Sequence, residues 1–217
     1  MHLLKVSSAS ANPFNFVIHY FLSMLSVIKS LFESSILTKQ AVLQDEELLG
    51  RIEQAARLIA EAFKNGHRVY FCGNGGSAAD AQHLAAEFSG PFYNRGRRAL
   101  PADALHCNTS YLTAAANDFD YSEVYARLVD GIMQPGDILV GLSTSGNSTN
   151  VVKAFETAME KGITTIGMTG IAGGKMAAVS NILLNVPATD TPRIQEVHML
   201  MGHIICELVE ADIFPKS

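Results

Sequence analysis

The run Val69-Tyr70-Phe71-Cys72-Gly73-Asn74-Gly75-Gly76-Ser77, continuing through Ala78 to Glu87, constrains this chain more than any other stretch. Apolar residues, a glycine-rich turn and a Ser/Ala-rich start read in turn as strand, loop and helix. Backbone N–H groups at such a helix start lack intrahelical partners and carry partial positive charge. The turn can therefore hold an anion or a chain of hydroxyls. Further along, the spacing of His83 and Glu87 puts both on one helix face. A simple strand-to-helix connection requires neither the cradle nor this pair.

A second unit of the same kind follows. The apolar stretch Ile138 to Leu142 leads into Ser143-Thr144-Ser145-Gly146-Asn147-Ser148-Thr149-Asn150, which opens a helix running to about Lys161. One Ser or Thr is enough to cap a helix. The concentration of hydroxyls here points instead to a phosphate monoester, held by short donors and backbone N–H groups. This second loop is not a nucleotide P-loop or a dinucleotide fingerprint, because Gly-Lys-Ser/Thr and Gly-x-Gly-x-x-Gly are both missing from it.

Around these units, periodicity predicts helices over Met24–Lys39, Asp45–Asn65, Ser77–Ser89, Thr109–Ala116, Tyr121–Met133 and Thr191–Asp212. It predicts strands over Arg68–Phe71, within Ala99–His106, and over Ile138–Leu142, Thr164–Thr169 and Ile182–Val186. Strands alternating with helices call for an α/β fold with a doubly wound parallel sheet. Ligands of such sheets bind beyond the carboxyl ends of the strands, where both glycine/hydroxyl loops must lie.

The last helix carries Gln195, His198 and His203 among Val197, Met199, Leu200, Met201, Ile204, Ile205 and Leu208. Polar groups in so apolar a helix are costly unless satisfied. Gln195 and His203 stand roughly 80° apart around the helix and can flank one site. With His83 and Glu87 they form a donor set that could hold a borderline metal such as zinc, although glutamine is an uncommon ligand. His198 is expected to be structural.

At 217 residues the chain can bury one full-sized core, and its net charge of -5 argues against nucleic acid or an anionic membrane as partner. Its three cysteines, Cys72, Cys107 and Cys206, lack metal-site spacing and suit a reducing compartment, so a cytoplasmic protein is expected. Residues 1–23 are expected to be an N-terminal extension, poorly ordered or upstream of a true start at Met24, with 24–217 forming a single domain. Phe14 to Ile28 is apolar but interrupted by polar residues, and lacks the basic face of an interfacial anchor.

Four ordered motifs carry a family resemblance: Cys72-Gly73-Asn74-Gly75-Gly76-Ser77, Asn117-Asp118-Phe119, Leu142-Ser143-Thr144-Ser145-Gly146-Asn147-Ser148 and Arg193-Ile194-Gln195-Glu196-Val197-His198. Together they resemble the phosphoheptose isomerases of the sugar-isomerase (SIS) domain family, from about Met24 to the C-terminus. The resemblance implies a flavodoxin-like, five-stranded parallel sheet flanked by helices, and a homotetramer with active sites at subunit interfaces. It implies an aldose–ketose isomerase that converts D-sedoheptulose 7-phosphate to D-glycero-D-manno-heptose 7-phosphate, for lipopolysaccharide or similar surface glycans. Ser143, Thr144, Ser145 and Ser148 would then bind the sugar phosphate. Asn74, Gly75, Gly76 and Ser77 would line the polyol chain, with Asn117, Asp118 and Gln195 beside it. His83, Glu87, Gln195 and His203 would hold one zinc per subunit, while Glu87 and His203 would also serve as base and acid and Glu87 would touch substrate. Two departures stand out: Pro91 occupies a position where many members have Arg, and residues 1–23 have no counterpart. The competing reading is a non-catalytic phosphosugar-binding module or replication-initiator-associating adaptor. Such a protein has no need for the His83, Glu87, Gln195 and His203 set.

Overall fold

The computed structural model describes residues 13–215, with side chains from residue 24 onward. These residues fall into two units, one ending at Leu37 and one starting at Thr38. Helix α1 (Pro13–Leu43) forms the first unit and contributes its last turns to the second. It begins before the expected Met24 and so runs through the boundary drawn at residue 23. Residues 1–12 of the expected extension lie outside the described residues.

The second unit is built on a five-stranded sheet of β1 (Val69–Gly73), β2 (Ala102–Ala104), β3 (Ile138–Leu142), β4 (Thr164–Gly170) and β5 (Ile182–Val186). Its order is β2-β1-β3-β4-β5, and every pairing is parallel. Parallel neighbours need crossovers, and α2 (Glu46–Lys64), α3 (Gly76–Ser89), α4 (Thr109–Asp118), α5 (Val124–Ile132), α6 (Thr149–Glu160) and α7 (Thr191–Ile213) cover the two faces. The chain winds outward in both directions from the β1/β3 pair, which makes that pair the topological switch point.

Side-chain alternation along β1 divides the core. Val69 and Phe71 join Leu48, Ile59, Phe63, Leu84, Phe88 and Val197 on the face covered by α2, α3 and α7. Tyr70 and Cys72 join Val129, Val151 and Phe155 on the face covered by α5 and α6. Burying each large apolar side chain stabilises the fold by roughly 1.5–3 kcal/mol. Local signals set the helix ends. Asp45 caps α2 by accepting from the Leu48 backbone N–H at 2.9 Å, and Glu46, Glu47 and Lys64 complement the helix dipole.

Two expected elements differ in extent. The Tyr121–Met133 stretch opens as a 3-10 turn (Tyr121–Glu123), because the Asp120 carboxylate accepts from the Ser122 backbone N–H and fixes a tight entry before α5. The second strand is confined to Ala102–Ala104, where it can pair with Val69–Phe71 at the sheet edge. No helix among the described residues is long and apolar enough to cross a membrane.

Candidate active site

Register places the two loops side by side. Gly73, the last residue of β1, pairs with Leu142, the last of β3, so Asn74-Gly75-Gly76 and Ser143-Thr144-Ser145 leave the sheet as neighbours. They are tied by side chains. Asn74 Nδ2 donates to Asn150 Oδ1 at 2.8 Å, and Asn150 Nδ2 donates back to Asn74 Oδ1 at 2.9 Å. The Tyr121 hydroxyl reaches the same Asn74 oxygen at 3.3 Å, and the Tyr125 hydroxyl donates to the Gly73 carbonyl at 2.5 Å.

The hydroxyl loop is shaped by its backbone. Gly146 has φ of +66°, and a Cβ there would run into the Gly173 carbonyl. The 170–176 segment backs the loop: the Gly170 N–H donates to the Thr144 carbonyl, and the Met176 N–H to the Gly146 carbonyl, both at 3.0 Å. Ser148 stands at the N-cap of α6 but makes no side-chain capping bond. Its Oγ lies 2.8 Å from Ser143 Oγ instead. Capping therefore does not account for these hydroxyls. Ser143 is buried, Thr144 and Ser148 are half-buried and Ser145 is exposed, which grades the loop from core to solvent.

The second cluster lies between α3 and α7. His83 Nε2 is 3.1 Å from Glu87 Oε1 and 2.9 Å from His203 Nε2, and one ligand atom from each residue can be chosen so that all lie within 4.8 Å of one another. Two imidazoles and a carboxylate at this spacing are a suitable donor set for a divalent metal of the zinc type. Close approach of the helices makes the cluster possible. A Cβ on Gly202 would come within 2.5 Å of Leu84 Cδ2, so glycine at this point lets α7 lie against α3 beside both histidines. Burial raises the carboxyl of Asp80, one turn before His83, and the neighbouring imidazole partly offsets that rise.

Gln195 takes a different position. Its amide packs on Gly76 and makes a long 3.4 Å contact with Ser77 Oγ, at the glycine turn where α3 begins. It thus joins the turn to α7. Asn117 and Asp118 are exposed at the end of α4 and bond to each other at 3.0 Å, a few residues before the Tyr121 that reaches Asn74. His198 is fully buried, with Nε2 3.1 Å from the Thr169 carbonyl, and burial lowers its pKa to about 4. All three cysteines are free.

Asn150, Tyr121 and Gly202 were not singled out as site residues by sequence reasoning. A signal existed for Asn150, a polar residue that would prove buried at the start of an apolar-faced helix. The others act only through tertiary contact.

A doubly wound parallel sheet with paired glycine and hydroxyl loops at its switch point defines an α/β domain with a ligand-binding crevice, and the SIS domain family model matches residues 32–170. The phosphoheptose isomerase of Aneurinibacillus thermoaerophilus is 50% identical over 191 residues, spanning 88% of this chain and 96% of that one. That of Clostridium acetobutylicum is 46% identical over 194 residues, spanning 89% and 98%. Among solved structures, the phosphoheptose isomerase of Neisseria gonorrhoeae superposes with a TM-score of 0.81 at 41% identity, covering 87% of this chain and 99% of that one. The chain belongs to the phosphoheptose isomerases of the SIS domain family.

Proposed function

We propose that this chain is an aldose–ketose isomerase that interconverts D-sedoheptulose 7-phosphate and D-glycero-D-manno-heptose 7-phosphate. One observation carries the assignment of roles: His83, Glu87 and His203 converge from two helices within reach of one ion or one small substrate. A binding module would have no use for that convergence.

The reaction moves a proton between adjacent carbons. In the ketose, a base takes the proton from the carbon beside the carbonyl, the electron pair forms an enediolate, and a proton returns at the neighbouring carbon. Glu87 is the base, a half-buried carboxylate held beside His83. His203 supplies and recovers the proton at the sugar oxygen. Ser143, Thr144, Ser145 and Ser148 hold the phosphate at the start of α6, fixing the far end of the substrate. Asn74, Gly75, Gly76 and Ser77 bind the hydroxyl chain with Asn117, Asp118 and Gln195, and Glu87 contacts the reacting carbons.

The donor set of His83, Glu87 and His203 fits zinc, one ion per subunit, and Gln195 would join it as a fourth ligand only by leaving its seat on Gly76 and Ser77. Bound there, zinc would supply positive charge near the developing enediolate. Exposed apolar residues on α1, among them Leu25, Ile28 and Phe32, support a homotetramer in which another copy covers them. Free buried thiols support a cytoplasmic location. The product would enter synthesis of heptose units for surface glycans. Incubating the purified chain with sedoheptulose 7-phosphate and following aldose formation by NMR tests the reading.

A further inference from the structure

We propose that Arg97 and Glu210 are positioning residues that hold α3 and α7 in register and so fix the His83–Glu87–His203 cluster, an inference that rests on the metal-binding isomerase reading above. Neither residue belongs to the cluster, and neither bears on the substrate loops.

Arg97 lies at the end of the 90–97 loop with its side chain only 1% exposed. Its guanidinium donates to the Phe88 carbonyl at 2.9 Å, the Glu87 carbonyl at 2.8 Å and the Gly90 carbonyl. The Glu87 and Phe88 carbonyls belong to the last turn of α3, which lacks intrahelical partners, and a cation there also complements the helix dipole. The backbone of the base is thereby held from outside its own helix.

A fourth N–H donates to the Arg98 carbonyl at 3.0 Å, and the fifth, on Nε, is turned toward α7. Arg97 Nε donates to Glu210 Oε2 at 2.5 Å, and the Glu210 side chain is only 8% exposed. The same carboxylate accepts from the backbone N–H groups of Phe92, Tyr93 and Asn94 at 3.1, 2.8 and 2.7 Å. Burial alone would raise its pKa, but Arg97 and these three donors hold it below the ordinary range, so it is ionised at neutral pH. Glu210 lies about two turns beyond His203 on α7. Between them, the ring of Phe92 sits 5.9 Å from the ring of His203. One buried ion pair thus joins the backbone of Glu87, the loop that packs on His203, and the helix that carries His203.

A buried ion pair is a poor device for stability alone, since apolar residues of similar volume often serve as well or better. Its directional bonds are suited to fixing geometry, as the outer partners of metal ligands do. Pro91, which has no N–H to offer, opens the loop just before the three donors that face Glu210. The departure from Arg at that position therefore leaves the clamp complete.

The test compares wild type, Arg97→Lys and Glu210→Gln as full-length proteins. Zinc affinity is measured by competition with a chromophoric chelator, alongside kcat and KM on sedoheptulose 7-phosphate and the thermal midpoint of the metal-free forms. Arg97→Lys keeps the buried charge balanced but loses the fork, so it carries the test should Glu210→Gln not fold. The expected result is a zinc affinity and a kcat each lowered about 10-fold or more, the size of effect typical of outer-shell partners, with KM changed by less than about 3-fold. A folded variant with wild-type zinc affinity and kcat, and only a lower thermal midpoint, would overturn the inference and leave a structural clamp. Weakened zinc binding in a protein whose wild type lacks isomerase activity would uphold the clamp and reject the isomerase reading.

Discussion

His83 Nε2 and His203 Nε2 stand 2.9 Å apart although 120 residues separate them in the chain. At that distance two imidazoles either share one proton or face a common cation. Glu87, 3.1 Å from the first of them, adds the negative charge that makes a cation favourable. The contact depends on how closely α7 approaches α3, and that closeness is itself open to test.

Gly202→Ala tests that closeness, because the added methyl needs room that only Leu84 or α7 can give. The added methyl would meet Leu84 at about the distance real Cβ atoms never adopt, so either Leu84 shifts or α7 moves outward. Overpacking of this kind costs about 1–3 kcal/mol, read as a lower denaturant midpoint with unchanged slope. Zinc affinity should fall in the same variant to the extent that α7 moves, because the histidine pair then opens.

Ser148→Ala should separate capping from phosphate binding. Because the Ser148 side chain makes no capping bond to α6, its removal should cost only the hydrogen bond it shares with Ser143 Oγ, about 1 kcal/mol, and leave the helix start intact. KM for the sugar phosphate should rise by about 10-fold, corresponding to the loss of roughly one hydrogen bond to a charged group. Urea unfolding and steady-state kinetics on one preparation check both.

How far the sequence discloses this arrangement depends on the range of each interaction. The strand–loop–helix units were legible because alternation and glycine placement act within a few residues, as at Val69–Gly73 and Ile138–Leu142. The shared face of His83 and Glu87 was legible for the same reason, since helix geometry alone sets it. Gln195 illustrates the limit. Its angular position on α7 allowed it to flank the site, but only packing could show that its amide rests on Gly76 and Ser77. The Asn74–Asn150 exchange and the Arg97–Glu210 pair span 76 and 113 residues, and no periodicity reports such contacts.

Stability should depend on pH through His198. Burial lowers its folded pKa to about 4, below the ordinary 6.5, so the unfolded chain takes up the proton first. The neutral, buried imidazole therefore contributes stability that is complete above pH 6.5 and lost as the pH falls toward 4. Between pH 7 and pH 5 the loss should be about 2 kcal/mol, from roughly 1.4 kcal/mol per unit. His198→Gln, whose amide can still donate to the Thr169 carbonyl, should remove that part of the slope. Chemical unfolding of both proteins across this range makes the comparison.

The most direct test of the central claim is turnover of sedoheptulose 7-phosphate by wild type and Glu87→Gln, each measured metal-free and after zinc is restored. The account predicts turnover by zinc-loaded wild type, its loss on chelation, and a fall of about 1,000-fold or more in folded Glu87→Gln, as expected for removal of a general base. A correctly folded, zinc-loaded wild type that turns over neither this substrate nor related ketose phosphates would contradict it, and the phosphosugar-binding module would take its place.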